Sequence, residues 1–75
     1  MAKPTLLKNV KEGQYFCFSM TPDEQKEEQE VKSGKVWVRG SYDRELKKYE
    51  VYMFANIGKY KFVKGDRIVW TDIFF

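Results

Sequence analysis

From residue 35 onward the large apolar side chains fall into four short bursts, each set off from the next by turn residues. They are Lys35-Val36-Trp37-Val38-Arg39, Lys48-Tyr49-Glu50-Val51-Tyr52-Met53-Phe54, Lys59-Tyr60-Lys61-Phe62-Val63 and Arg67-Ile68-Val69-Trp70-Thr71-Asp72-Ile73-Phe74. β-Branched and aromatic residues at period two, interrupted by Gly, Asn and Asp, predict antiparallel strands and not helices. A further strand is expected over Tyr15–Met20, with Val10-Lys11-Glu12-Gly13-Gln14 supplying the turn that leads in. Val63-Lys64-Gly65-Asp66-Arg67 repeats that turn chemistry ahead of the last strand. Residues 1–14 read as a lead-in.

Helical signals gather only in residues 21–32. Thr21 is placed to cap, Pro22 suits a first helical position, and Glu24 completes a capping box. Glu28 and Lys32 are ordered as a favourable helical pair. Yet Asp23 through Glu30 contain no apolar residue, so a longer helix would have no face to bury. Residues 21–34 are therefore expected to form a mobile acidic loop with one or two helical turns at its start. Beyond Ser33-Gly34 the strands follow in quick succession. Gly40 to Leu46 is long enough for a loop, while Asn56-Ile57-Gly58 and Lys64-Gly65-Asp66 are short hairpin turns, the first tolerant of positive φ. The apolar run Ile73-Phe74-Phe75 is expected to close a barrel or to form half of an interface.

Five strands with a long first loop, a medium second and two tight ones resemble the loop rhythm of SH3-like barrels over residues 10–75. The OB-fold has a similar strand count but carries its helix later, between the third and fourth strands. The resemblance implies a five-stranded antiparallel SH3-like barrel or β-roll whose long first loop is acidic. It does not extend to proline-peptide recognition, since the chain has no Ala-Leu-Tyr-Asp-Tyr run and no paired tryptophans. The chain is also loosely similar to uncharacterised small all-β proteins of bacteria and their mobile elements.

Length narrows the ways such a fold can be stabilised. Seventy-five residues make one domain, which buries only about 60% of its unfolded surface and is marginal without help. Cys17 is the only cysteine and there is no histidine, so neither an internal disulfide nor a zinc site of the usual kind is expected. What remains is aromatic mass: two Trp, five Tyr and six Phe, each contributing about 2–3 kcal/mol when fully buried. Self-association is the other route. Cys17, within Tyr15-Phe16-Cys17-Phe18, reads as a small buried apolar group in a reducing compartment. No stretch is apolar enough for a signal peptide or a membrane span, so a cytoplasmic location without membrane contact is expected.

Charge is spread unevenly around a total of +3. Residues 1–20 carry three Lys and one Glu, residues 21–34 two Lys against five acids, and residues 35–75 nine cations against five acids. The strand-rich part is basic and the inserted segment acidic.

Catalysis finds little support. Imidazole chemistry is impossible without histidine, and Gly34, Gly40, Gly58 and Gly65 stand alone in turns instead of forming a phosphate loop. Asp43 with Asp66 or Asp72 is a formal carboxylate pair, but acids at turns usually bond their own backbone. No enzyme activity, catalytic residue, metal or cofactor is expected. A binding surface is the better candidate. If the aliphatic-rich sides of the strands point inward, Trp37, Arg39, Tyr52, Lys59 and Lys61 share an outer surface where aromatics stack bases and cations track phosphates. The plainer alternative makes Trp37 or Phe54 part of a second small core, and Lys59 and Lys61 solubilising groups or guards of an edge strand. Tyr42 and Arg44 at a loop tip, with Phe74 and Phe75 at the terminal strand, are candidate protein-interface residues. The expectation is a non-catalytic binding module for a protein partner or a second copy of itself, with single-stranded DNA or RNA as the alternative.

Overall fold

A computed structural model describes residues 2–75. The four apolar bursts and the start of the Tyr15–Met20 stretch do form strands, and with one that the pattern does not predict they make six among the described residues: β1 (Lys3–Leu6), β2 (Tyr15–Phe16), β3 (Trp37–Asp43), β4 (Lys48–Met53), β5 (Tyr60–Val63) and β6 (Ile68–Thr71). A single helical turn, α1 (Pro22–Gln25), lies between β2 and β3. The strands form two antiparallel sheets, β1-β6 and β2-β3-β4-β5, and among the described residues no closed barrel. The all-β antiparallel class expected for a five-stranded barrel or β-roll is present, with six strands in two sheets in place of five.

Three departures account for the difference. The lead-in supplies β1, which pairs along β6 from Lys3 opposite Thr71 to Leu6 opposite Ile68. Pro4 is tolerated there because an edge strand need not donate every N–H. The strand expected over Tyr15–Met20 keeps only two residues in its sheet. At Cys17 it turns away and exchanges two backbone bonds with Trp70, at 2.9 and 2.8 Å, tying the sheets together. Finally, β3 runs through the expected loop as far as Asp43, with a bulge between Arg39 and Tyr42. Gly40 permits this, since a Cβ there would sit 3.0 Å from the Glu50 carbonyl oxygen.

Turn chemistry follows local carboxylates and amides. Asp43 Oδ1 accepts from the Glu45 and Leu46 N–H groups at 2.9 and 3.0 Å, so it folds the tip of the β3–β4 hairpin. The Asn56-Ile57-Gly58 turn uses no positive φ. Asn56 Oδ1 instead accepts from the Gly58 N–H at 3.1 Å. The capping box forms as expected: Thr21 Oγ1 accepts from the Glu24 N–H at 3.3 Å, and the Thr21 N–H donates to Glu24 Oε1 at 2.9 Å. The helix stops after one turn, and Glu28 and Lys32 lie beyond it.

Two apolar clusters hold the sheets. One gathers Ala2, Cys17, Met20, Val31 and Val36 under Trp70 and Ile73. The other gathers Leu7, Val10, Phe16, Val51 and Val69, flanked by Phe18, Trp37, Tyr49 and Val63. Phe16 is the one aromatic among the largest fully buried side chains of the described residues. Valines therefore fill the centre and most rings pack at the margins, contrary to the expectation of an aromatic core. The acidic segment is fixed near both ends. Glu24 is buried and bonds Lys35 Nζ at 2.7 Å, while Val31 is buried and its N–H donates to the Phe74 carbonyl at 2.8 Å. No helix among the described residues is long and apolar enough to cross a membrane.

Candidate functional site

Register decides which side chains share a face. Val38 stands opposite Tyr52, and Tyr52 opposite Tyr60. Arg39 stands opposite Val51, and Val51 opposite Lys61. Directly opposed residues lie on the same side of a sheet, so Trp37, Arg39 and Lys61 share the face of buried Val51 while Tyr52 lies on the other. The common outer surface expected for Trp37, Arg39, Tyr52, Lys59 and Lys61 is not formed. Its physical reason is that β4 carries apolar groups on both sides, so composition cannot tell inner from outer.

On the Val51 side the cations lie against rings. Lys61 Nζ is 4.3 Å from the Phe18 ring centre and 4.9 Å from that of Trp37, and Arg67 lies 5.0 Å from Phe18. Arg39 covers Tyr49 at 4.4 Å and approaches Glu12 at 3.9 Å, while its buried Nε has no hydrogen-bond partner among the described residues. Such contacts offset part of the desolvation of Arg39 and hold the exposed Lys61 and Arg67 against ring faces. Trp37 packs half-buried against the Val51 cluster and its ring is in edge contact with Phe18, which leaves it no open stacking platform. Lys59 is exposed just outside β5.

Towards β5 the opposite side of the four-stranded sheet is open, while Val38 on that side is buried. Tyr60 is 62% exposed, Ile57 73% and Phe62 36%, and Glu50, Tyr52, Ile57 and Tyr60 line a shallow hollow there. Tyr15, Phe54 and Phe75 form a second exposed group, each ring in edge contact with the other two at 5.4 Å. Of the expected interface residues, Phe75 thus joins a ring cluster. Phe74 is exposed beside it in sequence, and Tyr42 makes a tilted ring contact with Tyr49 at 4.7 Å. Arg44 is exposed at the hairpin tip.

β5 ends its sheet, and although a short turn links it to β6 the two do not pair. The expected Lys64-Gly65-Asp66 hairpin is instead a passage between sheets. Gly65 packs there so closely that a Cβ would lie 2.9 Å from the Tyr49 ring and 3.1 Å from Lys8 Cβ. Hydrogen-bonded and non-bonded pairs alternate along an antiparallel ladder. The Met53 N–H donates to the Lys59 carbonyl at 2.9 Å, which makes residues 51/61 and 49/63 the bonded pairs that follow. Tyr60 and Phe62 therefore turn their N–H and C=O groups outward, where no backbone of the described residues meets them. Beside this edge runs a groove of about 680 Å³ lined by Lys48, Lys61, Phe62, Val63, Lys64, Asp66, Arg67 and Ile68. It presents four cations and one acid.

Sequence reasoning found Lys61 but missed Tyr60, Phe62, Lys64 and Arg67 as a group. The strand alternation was readable; that a tight turn would fail to close a hairpin was not. No protein-family model, curated protein or solved structure matches this chain.

Proposed function

We propose that this chain is a non-catalytic module that binds other polypeptides through β5 and the exposed face beside it. The observation that carries the reading is the unpaired β5 edge, flanked by solvent-facing Tyr60, Phe62 and Ile57. An open edge offers a row of main-chain donors and acceptors, and neighbouring rings add contact area at low entropic cost. The SH3-like resemblance is compatible with such a role, as small antiparallel barrels and rolls commonly use loops and edges to bind. A cytoplasmic setting suits the single buried thiol.

Nucleic-acid binding is the second reading, favoured by the four cations of the groove. It is weaker because Trp37 is half-buried against the Val51 cluster with its ring edge on Phe18, and so offers a base no open stacking platform. Selection of peptides from a random displayed library on the intact chain, followed by titration, tests the choice. Recovered peptides should bind at least about tenfold less tightly to Tyr60→Ser and Ile57→Ser, substitutions at exposed positions. Salt-sensitive retention on single-stranded DNA that survives both substitutions and is lost in Lys64→Ala would overturn the protein-binding reading.

A further inference from the structure

The charge beside the open edge says what kind of polypeptide fits it. We propose that β5 accepts an extended acidic segment of a partner as an added strand, whose carboxylates meet the basic groove; this rests on the protein-binding reading above. An added strand alternates its side chains between two faces. One set would lie over Tyr60 and Phe62, and the other would face Lys61 and the groove. The matching partner therefore alternates apolar and acidic residues.

Charge complementarity is the reason to choose this occupant. Lys48, Lys61, Lys64 and Arg67 face the groove with only Asp66 among them, and none of the four makes an ion pair among the described residues. Their attraction to an incoming carboxylate is thus not already satisfied within the chain. Two rival occupants fit less well. A second copy pairing through its own β5 would bring another Lys61 and another basic groove to the same seam, and charged residues facing inward on an edge strand oppose such pairing. A nucleic-acid strand would satisfy the cations, but it offers no alternating N–H and C=O row to the outward groups of Tyr60 and Phe62.

A short synthetic peptide of alternating valine and glutamate, titrated into the intact chain with backbone amide spectra recorded, tests the proposal. Its lysine counterpart and a single-stranded oligothymidylate are the comparisons. The glutamate peptide should slow hydrogen exchange at the Tyr60 and Phe62 amides and bind at least about tenfold more tightly than the lysine peptide, with affinity falling as salt is added. Lys64→Glu, at an exposed turn position, should weaken binding about tenfold with the spectrum otherwise unchanged. Phe62→Pro removes an N–H that β4 does not use and should abolish the added strand. If Phe62→Pro fails to fold, protection of the two amides in the unmodified chain still decides the matter. Equal binding of the lysine peptide at these amides overturns the acidic preference and leaves the protein-binding reading standing. Binding of oligothymidylate while both peptides are silent overturns both. Concentration-dependent protection of the same amides without peptide assigns the edge to a second copy and overturns the proposal.

Discussion

Cys17 is fully buried where the chain passes from one sheet to the other, and its thiol has no access to solvent. Burial pushes its pKa from 9.0 up to about 11, with the Lys35 charge opposing and Glu24 adding a little. The thiol is therefore protonated near neutrality, and a thiol reagent should modify it far more slowly in the folded chain than in denaturant. Equal rates in the two states would show that the junction opens freely. The sign of the pH effect follows from linkage. Because the folded pKa lies above the unfolded one, this group's contribution is complete below pH 9.0 and declines as pH rises towards about 11. Glu24 behaves in the opposite sense. The Lys35 hydrogen bond, with help from the Thr21 N–H, holds its carboxyl below the usual carboxylate range. Its contribution is present above that range and is lost as pH falls through the depressed value. Glu24→Gln should cost about 0.5–1 kcal/mol in urea denaturation, since Lys35 is partly exposed, and Glu24→Ala about 1–2 kcal/mol because the cap bond goes as well. Acid sensitivity should shrink in both. No change in the acid limb for Glu24→Gln would mean that the ion pair adds nothing. The capping role of this residue was legible in the Thr21-to-Glu24 spacing, whereas its bond to Lys35 spans a loop and was not.

Among the elements, the β5–β6 passage depends most on a single residue. The Tyr49 ring beside Gly65 is in contact with both Arg39 and Tyr42, so moving it away would disturb those contacts. Gly65→Ala should therefore destabilise the fold by about 1–3 kcal/mol. The penalty should fall by at least half in a Tyr49→Ala background, as a double-mutant cycle would show. An unchanged penalty there would place the clash on Lys8 instead. Element by element, the four bursts beyond residue 35 were readable because alternation of large side chains survives whatever the tertiary context. β1 was not readable, since Lys3-Pro4-Thr5-Leu6 shows no alternation and holds a proline; only pairing with β6 makes it a strand. The faces of β4 were equally obscure. Tyr49, Val51 and Met53 oppose Glu50, Tyr52 and Phe54, two sides of similar apolar character, and the register with β3 and β5 makes the choice. For the same reason the candidate site was only partly legible: Lys61 was identified, but its association with Phe18, Arg67 and an open edge depends on how the sheets sit.

At the scale of the molecule, two modest clusters share the task of stabilising a short chain, and Phe16 is the largest side chain fully enclosed. Phe16→Ala should cost about 3–5 kcal/mol, a large part of what so small a domain possesses, and should unfold much of the population at ambient temperature. A loss below about 1 kcal/mol would show that the cluster around it is not a core. The same economy leaves the sheets unclosed between β5 and β6, and the open edge is where binding is proposed. That edge can be tested with no ligand at all, by amide hydrogen exchange in the free chain. Lys61 and Val63 should be protected because their N–H groups face β4, while Tyr60 and Phe62 in the same strand exchange close to the unstructured rate. Protection of all four amides would mean that the edge is already covered, and would contradict the account.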